Sequence, residues 1–364
     1  MELQSARPAS RQVAYWVLTG VFMLTVQVIL GGITRLTGSG LSITEWNVVT
    51  GTLPPLTQQQ WLIEFDKYRQ TPQFYLLNPD FGLGDFKFIF FWEWLHRFWA
   101  RMVGVVFIVG FVYLLAAKKL KREMIEPLVI LFLLGAMQGI IGWIMVKSGL
   151  TGDAIYVRPT KLALHFIFAV GLICYAFWFG LQLVVPYRER IGNRSLRGWT
   201  WIILLVLCVQ LLFGALMAGH KAAPAASTWP TINGEWIPGS LFQERPLLFN
   251  FIDNKITVHF VHRGLAYLLF ILVLIWSRKA LRLNPASRLF KRARLFPLLT
   301  VALQIALGVF AILNGPGIVP NHWGIFEWVA GCHQITGLFF LLLMVYMLYL
   351  LKSPGSGQIA ARVS

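Results

Sequence analysis

Long apolar stretches separated by polar segments dominate the pattern of hydrophobic and polar positions along this chain. A helix needs about 20 mostly apolar residues to cross the hydrocarbon core of a membrane. Eight stretches have about that length, and they cover residues 13–33, 89–117, 127–147, 161–185, 199–218, 256–277, 296–314 and 328–351. The pattern therefore predicts an all-α polytopic membrane protein with eight transmembrane helices.

Composition and charge agree with this fold class. Of the 364 residues, 57% are hydrophobic and 13% charged, with a net charge of +17. A basic chain can bind nucleic acid, but here the basic residues are unevenly divided between the two sides. The side with both termini receives 19 of the 32 basic residues and four of the 15 acidic ones. This positive-inside distribution predicts cytoplasmic termini and excludes nucleic acid as a partner.

The two halves of the chain repeat one another. Gln27 recurs as Gln210, and Gln138 recurs as Gln304, each at a matching place in a predicted helix. Because each half has four spans, the halves share one orientation, as in parallel repeats. We predict two pseudo-symmetric four-helix bundles, with segments divided as follows: an N-terminal segment 1–12, bundles at 13–185 and 199–351, a linker at 186–198 and a tail at 352–364.

The long loop at 34–88 is rich in Trp, Tyr and Phe. Such a composition is too aromatic for a disordered linker. We expect short interfacial helices that form a cap, which would serve either as an aromatic belt at the membrane surface or as a lid over a hydrophobic ligand.

Four histidines are the main candidates for chemistry: His96, His165, His262 and His333. Each lies within roughly two turns of the outer end of a predicted helix. A lone histidine on an apolar helix is usually a hydrogen-bonded core residue. The repetition of two such residues in both halves instead favours axial ligation of heme iron, for which neutral imidazole is a common ligand.

Arginines follow two of these histidines, and a third position differs between the halves. Arg97 and Arg263 each come directly after a histidine, so they could pair with heme propionates or reach the headgroups. Three residues before the histidine, Glu93 in the first half corresponds to His259 in the second. A carboxyl group one turn from an axial ligand could exchange protons near the macrocycle, so only the first half is predicted to perform chemistry.

These motifs resemble heme A synthase of the long-looped proteobacterial and mitochondrial type. The resemblance covers almost all of residues 13–351, and its most specific part is the segment Gly31-Gly32-Ile33-Thr34-Arg35-Leu36-Thr37-Gly38-Ser39-Gly40-Leu41-Ser42 together with Glu93 to Arg97, His165, His262-Arg263 and His333-Gln334. It implies an eight-helix enzyme that oxidises the C8 methyl group of heme O to the formyl group of heme A by successive hydroxylation, for cytochrome oxidase assembly.

The resemblance also implies a role for each site residue. His262 and His333 would ligate a heme b cofactor, with Arg263 beside it. His96 and His165 would hold the iron of the substrate heme O, with Arg97 beside it, and Glu93 would be the catalytic carboxylate. Shorter members of the family use a cysteine pair in an outer loop, which this sequence lacks.

Further expectations concern the location and the partners of the protein. The resemblance implies a bacterial inner membrane, contact with lipid, and partnership with heme O synthase, an electron acceptor and cytochrome oxidase assembly factors, and it leaves a homo-oligomer open.

Two other functions fit parts of the pattern. A non-catalytic di-heme cytochrome b would explain the four histidines but not the unpaired Glu93, and a heme transporter would need charges along a path across the membrane.

Overall fold

The chain folds almost entirely into α-helices. The computed structural model describes residues 8–47, 50–319 and 322–353, so the predicted terminal segments lie largely outside the described residues. The helices are α1 (Pro8–Leu36), α2 (Gln58–Arg69), α3 (Pro72–Leu77), α4 (Leu83–Ala116), α5 (Arg122–Lys147), α6 (Pro159–Val184), α7 (Arg194–Gly219), α8 (Lys255–Leu281), α9 (Arg288–Ala293), α10 (Phe296–Leu313) and α11 (Ile325–Leu350).

Eight helical segments within the described ranges are long and apolar enough to cross a membrane. They are α1, α4, α5, α6, α7, α8, the α9–α10 pair and α11, so the prediction of an all-α polytopic membrane protein is confirmed. Helix α4 begins at Leu83, six residues before the start expected from hydropathy. At 34 residues it is about 50 Å long, and its first turns therefore extend beyond a hydrocarbon core of about 30 Å.

The seventh span is interrupted. Helix α9 ends at Ala293 and α10 begins at Phe296, with Pro297 in its first turn. Proline has no backbone N–H to donate and is tolerated in the first turn of a helix, where that donor has no intrahelical partner. The predicted span 296–314 thus corresponds to α10, and α9 is a short basic helix before it.

Packing within each half of the chain follows a common order. Helix α1 packs against α4 and α6, and α5 packs against α6; likewise α7 packs against α8 and α11, and α10 against α11. One difference is that α8 also packs along α10, whereas no comparable packing joins α4 to α5. The halves meet where α6 contacts α7 and α11, and where α1 contacts α11.

A cap packs onto one end of α4. We call the side with residues 37–47, 50–82, 148–158, 220–254, 314–319 and 322–324 the long-loop side. Helices α2 and α3 pack their aromatic side chains onto the first turns of α4, with the Tyr68 and Phe86 ring centroids 5.4 Å apart. Asn78 donates a hydrogen bond to the Tyr68 hydroxyl at 2.7 Å, and burial raises the pKa of Tyr68 to about 12. The short helices expected in this loop are therefore present.

Candidate functional site

Each of the four histidines lies against a glutamine and a glycine of a neighbouring helix. The glutamine and the glycine are four residues apart, so they share one face of their helix. The four sets are Gln27 and Gly31 of α1 with His96 of α4, Gln138 and Gly142 of α5 with His165 of α6, Gln210 and Gly214 of α7 with His262 of α8, and Gln304 and Gly308 of α10 with His333 of α11.

The glycines provide the space that the imidazole rings occupy. A Cβ atom on Gly31 or Gly142 would lie 3.0 Å from the Cε1 atom of the facing histidine. The corresponding distances are 3.2 Å at Gly214 and 3.1 Å at Gly308. A side chain at any of the four positions would crowd the ring, so the glycine lets the histidine helix and its neighbour approach closely.

The glutamines contact the same rings. Gln27 Nε2 lies 3.2 Å from both ring nitrogens of His96 and donates to its carbonyl oxygen at 3.2 Å. Gln138 contacts His165 in the same way, with 3.0 Å to the carbonyl oxygen. In all four glutamines the Oε1 atom is buried without a hydrogen-bond partner within the described part of the chain. Each Oε1 atom is thus an available acceptor beside an imidazole.

In the second half, two of the rings face one another. The centroids of His262 and His333 are 6.4 Å apart, with their planes inclined by 71°. An imidazole nitrogen bound to a metal lies about 2 Å from it and the ring centre roughly 1 Å beyond, so two axial rings have centroids about 6 Å apart. His333 Nδ1 lies 3.0 Å from the Gln304 carbonyl oxygen, and donating to it leaves Nε2 as the ligand atom. The spacing of the two rings is therefore compatible with both imidazoles binding one metal ion between them.

In the first half, His96 and His165 lie on helices that pack on a common neighbour. Helix α1 packs on both α4, which carries His96, and α6, which carries His165. Each of the two histidines lies against a Gln–Gly pair, as in the second half. The joining of His96 and His165 in one site stays a prediction.

Glu93 is held from three directions. Its Oε2 atom accepts hydrogen bonds from the Ser42 hydroxyl at 2.7 Å and from the Ile43 backbone N–H at 2.9 Å. Its Oε1 atom pairs with the Arg97 guanidinium at 2.6 Å. The side chain is 3% exposed. The structure thus anchors Glu93 to the segment that follows α1, a contact that spacing within α4 alone could not show.

The two arginines contact protein groups rather than extending toward the headgroups. Arg97 donates to the carbonyl oxygens of Glu45 at 2.9 Å and Ile43 at 3.1 Å, in addition to its pairing with Glu93. Its guanidinium also lies over the Trp46 ring, 5.0 Å from the centroid. Every terminal nitrogen of Arg97 is therefore engaged, and the propionate contact expected for it stays a prediction.

Arg263 also contacts carbonyl oxygens of a loop, in the second half. It donates to the carbonyl oxygens of Ala226 at 2.6 Å, Thr228 at 2.9 Å and Thr231 at 3.1 Å. Its Nε atom is buried and has no partner among the described residues. Both arginines therefore fasten the loop that follows the preceding helix onto the histidine helix, and the propionate contact of Arg263 also stays a prediction.

The other histidines are structural. His259, fully buried at the position that corresponds to Glu93, contacts the Ala222 carbonyl oxygen through Nε2 at 2.7 Å. His220 contacts the Ile252 carbonyl oxygen through Nε2, and His322 is exposed. His259 and His220 therefore support loops on the long-loop side, and the role of His322 is left open.

The glutamine and glycine residues that contact the histidines were not predicted from the sequence. Gln138 and Gln304 were visible as repeats, but their contact with the imidazoles was not inferred. The signal was present as four pairs of the form Gln-x-x-x-Gly, each on a helix adjacent to a histidine helix. Ser42, the hydroxyl partner of Glu93, carried no comparable signal because it lies in an irregular segment.

These observations define a class: a multi-pass helical membrane protein with two half-buried histidines in each half, each against a Gln–Gly pair of a neighbouring helix, and with the buried carboxylate Glu93 one turn from His96. Comparison with known proteins is consistent with this class. Residues 14–345 match the model of the cytochrome oxidase assembly protein family, and the chain belongs to that family.

Curated relatives narrow the comparison. A heme A synthase of Rhodospirillum centenum is 40% identical over 355 residues, covering 96% of this chain and 91% of the relative. One from Flavobacterium johnsoniae is 39% identical and covers 94% of this chain and 98% of the relative. A third, from Paracoccus denitrificans, is 40% identical, and the matched region covers 82% of this chain and 79% of the relative.

Proposed function

We propose that this protein is a heme A synthase, an enzyme that oxidises a methyl group of heme O to the formyl group of heme A. One observation carries the proposal: two histidine sites of the same design differ in that only the first has a buried carboxylate, Glu93, one turn from its histidine. Two identical electron-carrying sites would not need this difference. The similarity to proteins named heme A synthase, over nearly the whole chain, supports the same function.

In this proposal the first half binds the substrate. His96 and His165 would be the axial ligands of the heme O iron, and the Gln–Gly pairs of α1 and α5 would orient their rings. Because Gly31 and Gly142 are in close contact with the rings, neither imidazole can turn freely. Rigid positioning of the macrocycle would bring one methyl group to a defined place in the site.

Glu93 would act at the methyl group under attack. Its two oxygens already accept hydrogen bonds from Ser42, Ile43 and Arg97, so the carboxylate cannot swing away from its place. A carboxylate there can stabilise positive charge that develops at the carbon being oxidised, or accept a proton from the incoming water. The ion pair with Arg97 keeps the negative charge from being buried alone.

The second half would hold a resident heme b through His262 and His333. A heme supplies one-electron redox chemistry that side chains lack. The protein groups of this half exclude water and hold both rings in place: Gln304 accepts from His333, and Arg263 secures the loop above. We assign the two halves different tasks, substrate oxidation in the first and electron transfer to an external acceptor in the second.

The protein is a multi-pass membrane protein, and we propose the bacterial inner membrane with both termini in the cytoplasm as its location. Partners would be the enzyme that supplies heme O, an electron acceptor and cytochrome oxidase assembly factors. The long-loop side, with the histidine sites and the cap, would then face away from the cytoplasm.

Pigment extraction tests the proposal. Cells that lack heme A would express this chain together with a source of heme O, and the extracted hemes would be separated by chromatography. We expect heme A in these cells and only heme O in cells that carry the His165→Ala variant. Absence of heme A from cells in which the protein is inserted and retains its own heme would contradict the proposal and favour a di-heme electron carrier.

A further inference from the structure

The two histidine sites differ in the residues that lie one helical turn closer to the long-loop side. On α1, Gln27 and Gly31 contact His96, and Arg35 is the next residue on that face. On α4, which runs in the opposite direction, Trp92 lies one turn before His96. On α6, Lys161 lies one turn before His165. Residues four apart on a helix share a face and are separated by about 6 Å along its axis.

These three residues carry N–H donors, and two of the donors are unused. The Nε atom of Arg35 and the Nε1 atom of Trp92 are buried without a hydrogen-bond partner in the described part of the chain. Their helices touch at this level, where the Thr34 hydroxyl contacts the Trp92 carbonyl oxygen at 3.2 Å. Buried donors without acceptors are costly in a membrane-embedded site, so an acceptor from a ligand would be favourable.

Positive charge at this level is only partly balanced. Glu327, in the first turn of α11, attracts Arg35 electrostatically, while its own Oε2 atom accepts from the Gly324 N–H at 2.8 Å. No ion pair among the described residues includes Arg35 or Lys161. Lys161 also lies in the first turn of α6, where the helix dipole favours an anion.

The second half has no N–H-donating side chain at the corresponding positions. The positions that correspond to Arg35, Trp92 and Lys161 are Ala218, Val258 and Val329, and all three are apolar. On the remaining helix of each half, the matching positions are the apolar residues Val146 and Ile312. The Gln–Gly–His contacts are therefore alike in the two halves, but three of the four residues one turn above them carry N–H donors in the first half and none does in the second.

We propose that Arg35, Trp92 and Lys161 form a carboxylate-binding collar at the long-loop end of the first histidine site, and that this collar binds the propionate groups of the substrate porphyrin. The proposal rests on the proposed function for the identity of the substrate. Arg97 cannot serve instead without giving up Glu93 or its loop carbonyls. The collar supplies a guanidinium, an indole N–H and an ammonium group, all of which donate hydrogen bonds to a carboxylate.

The collar also sets the orientation of the substrate. Propionates held at the long-loop end direct the opposite edge of the macrocycle toward the middle of the membrane. Because the two propionates lie on one edge of a porphyrin, this contact removes most rotational alternatives and determines which peripheral groups come near Glu93. The collar is thus a positioning element for the proposed reaction.

The test compares heme O with its dimethyl ester, in which the carboxylates are masked. Purified protein with its own heme b retained would be placed in lipid nanodiscs, and each ligand would be titrated by difference absorbance. We expect wild-type protein to bind the free acid more tightly than the ester by about tenfold to a hundredfold, the value of a charged hydrogen bond. Arg35→Gln, Lys161→Met and Trp92→Phe should each reduce that ratio, and Arg35→Lys should retain part of it.

Lys147→Met is the matched control. It removes a positive charge from the same end of the first half, but Lys147 lies over the Trp143 ring and does not share the Gln138–Gly142 face. We expect this variant to keep the wild-type ratio. Equal binding of acid and ester by wild-type protein, or an unchanged ratio in all three collar variants that retain heme b, would overturn the proposal.

The same preparations separate this inference from the proposed function. If wild-type protein forms heme A but its ratio does not respond to the collar variants, the collar is wrong and the function stands. If no heme A forms while the preference for free acid depends on the collar, the function is wrong and the binding site stands. Trp92→Phe keeps an aromatic ring and removes the N–H donor, so it tests the hydrogen bond with a smaller loss of packing than Trp92→Ala would cause.

Discussion

Replacing Glu93 with glutamine separates its chemical role from its structural one. The variant keeps the length of the side chain, and the amide oxygen can still accept from Ser42 and Ile43, which donate at 2.7 and 2.9 Å. The amide NH₂ group then faces the Arg97 guanidinium, which in the wild-type protein donates to Glu93 at 2.6 Å. Two donors would point at each other, and the ion pair would be lost.

The expected loss of stability in Glu93→Gln depends on the contacts that Arg97 retains. Removing one partner of a buried ion pair costs about 3–5 kcal/mol when the remaining charge has no other contacts. Arg97 keeps the carbonyl oxygens of Glu45 and Ile43 and its position over Trp46. We therefore expect the smaller cost of one charged hydrogen bond, about 2 kcal/mol, and a folded protein that makes little heme A.

The assay has three parts: heme b content, the temperature at which heme b absorbance is lost, and heme A formed per protein. Ser42→Ala is the control, because it removes one hydrogen bond to the carboxylate and leaves the carboxylate and the ion pair. It should cost about 2 kcal/mol, the value of a hydrogen bond to a charged group, and keep most of the activity. The reasoning is refuted if Glu93→Gln forms heme A near the wild-type rate, or if Ser42→Ala loses activity to the same extent at equal stability.

Three further predictions follow from the site. His262→Ala should abolish stable heme b while His96→Ala preserves it, and spectra with the opposite pattern would reverse the assignment of the halves. Arg263→Leu should weaken heme b retention and make the loop that Arg263 binds accessible to protease. Arg263→Lys should recover only part of this, since lysine lacks the planar fork with which the guanidinium contacts the three carbonyl oxygens, and unchanged digestion in both variants would contradict the prediction. Gly308→Val should displace the His333 ring, because even a Cβ atom there lies 3.1 Å from it, and an unaltered heme b spectrum would show that the contact is not needed.

Several parts of this molecule were predictable because they depend on local sequence. The eight spans follow from the length of apolar stretches, and all were found, although the start of the second span lies six residues and that of the seventh eight residues before the expected position. Cap helices α2 and α3 also have local signals, since Thr57 and Thr71 accept hydrogen bonds from N–H groups in their first turns. The four histidines were identified from repetition and helix position, and both features are properties of the chain alone.

Other features depend on contacts between distant residues. Arg97 and Arg263 bind carbonyl oxygens of loops more than 30 residues away along the chain, which the sequence did not indicate, and their contact with a ligand stays a prediction. Spacing along a helix shows which residues share a face, and it does not show what that face meets. The Glu93–Ser42 hydrogen bond joins residues of α4 and of an irregular segment, so no local pattern could predict it.

The sequence alone therefore determined the class of the protein, its number of spans and the residues able to ligate iron, because hydrophobic length and helical periodicity act over short distances. Only the tertiary structure decided which groups surround each imidazole. Three features arise where separate segments of the chain pack: the Gln–Gly contacts, the hydrogen bond from Ser42 to Glu93 and the unused donors of Arg35 and Trp92. In a membrane, where each buried polar group must find a partner within the protein or in a ligand, these contacts between helices define the site.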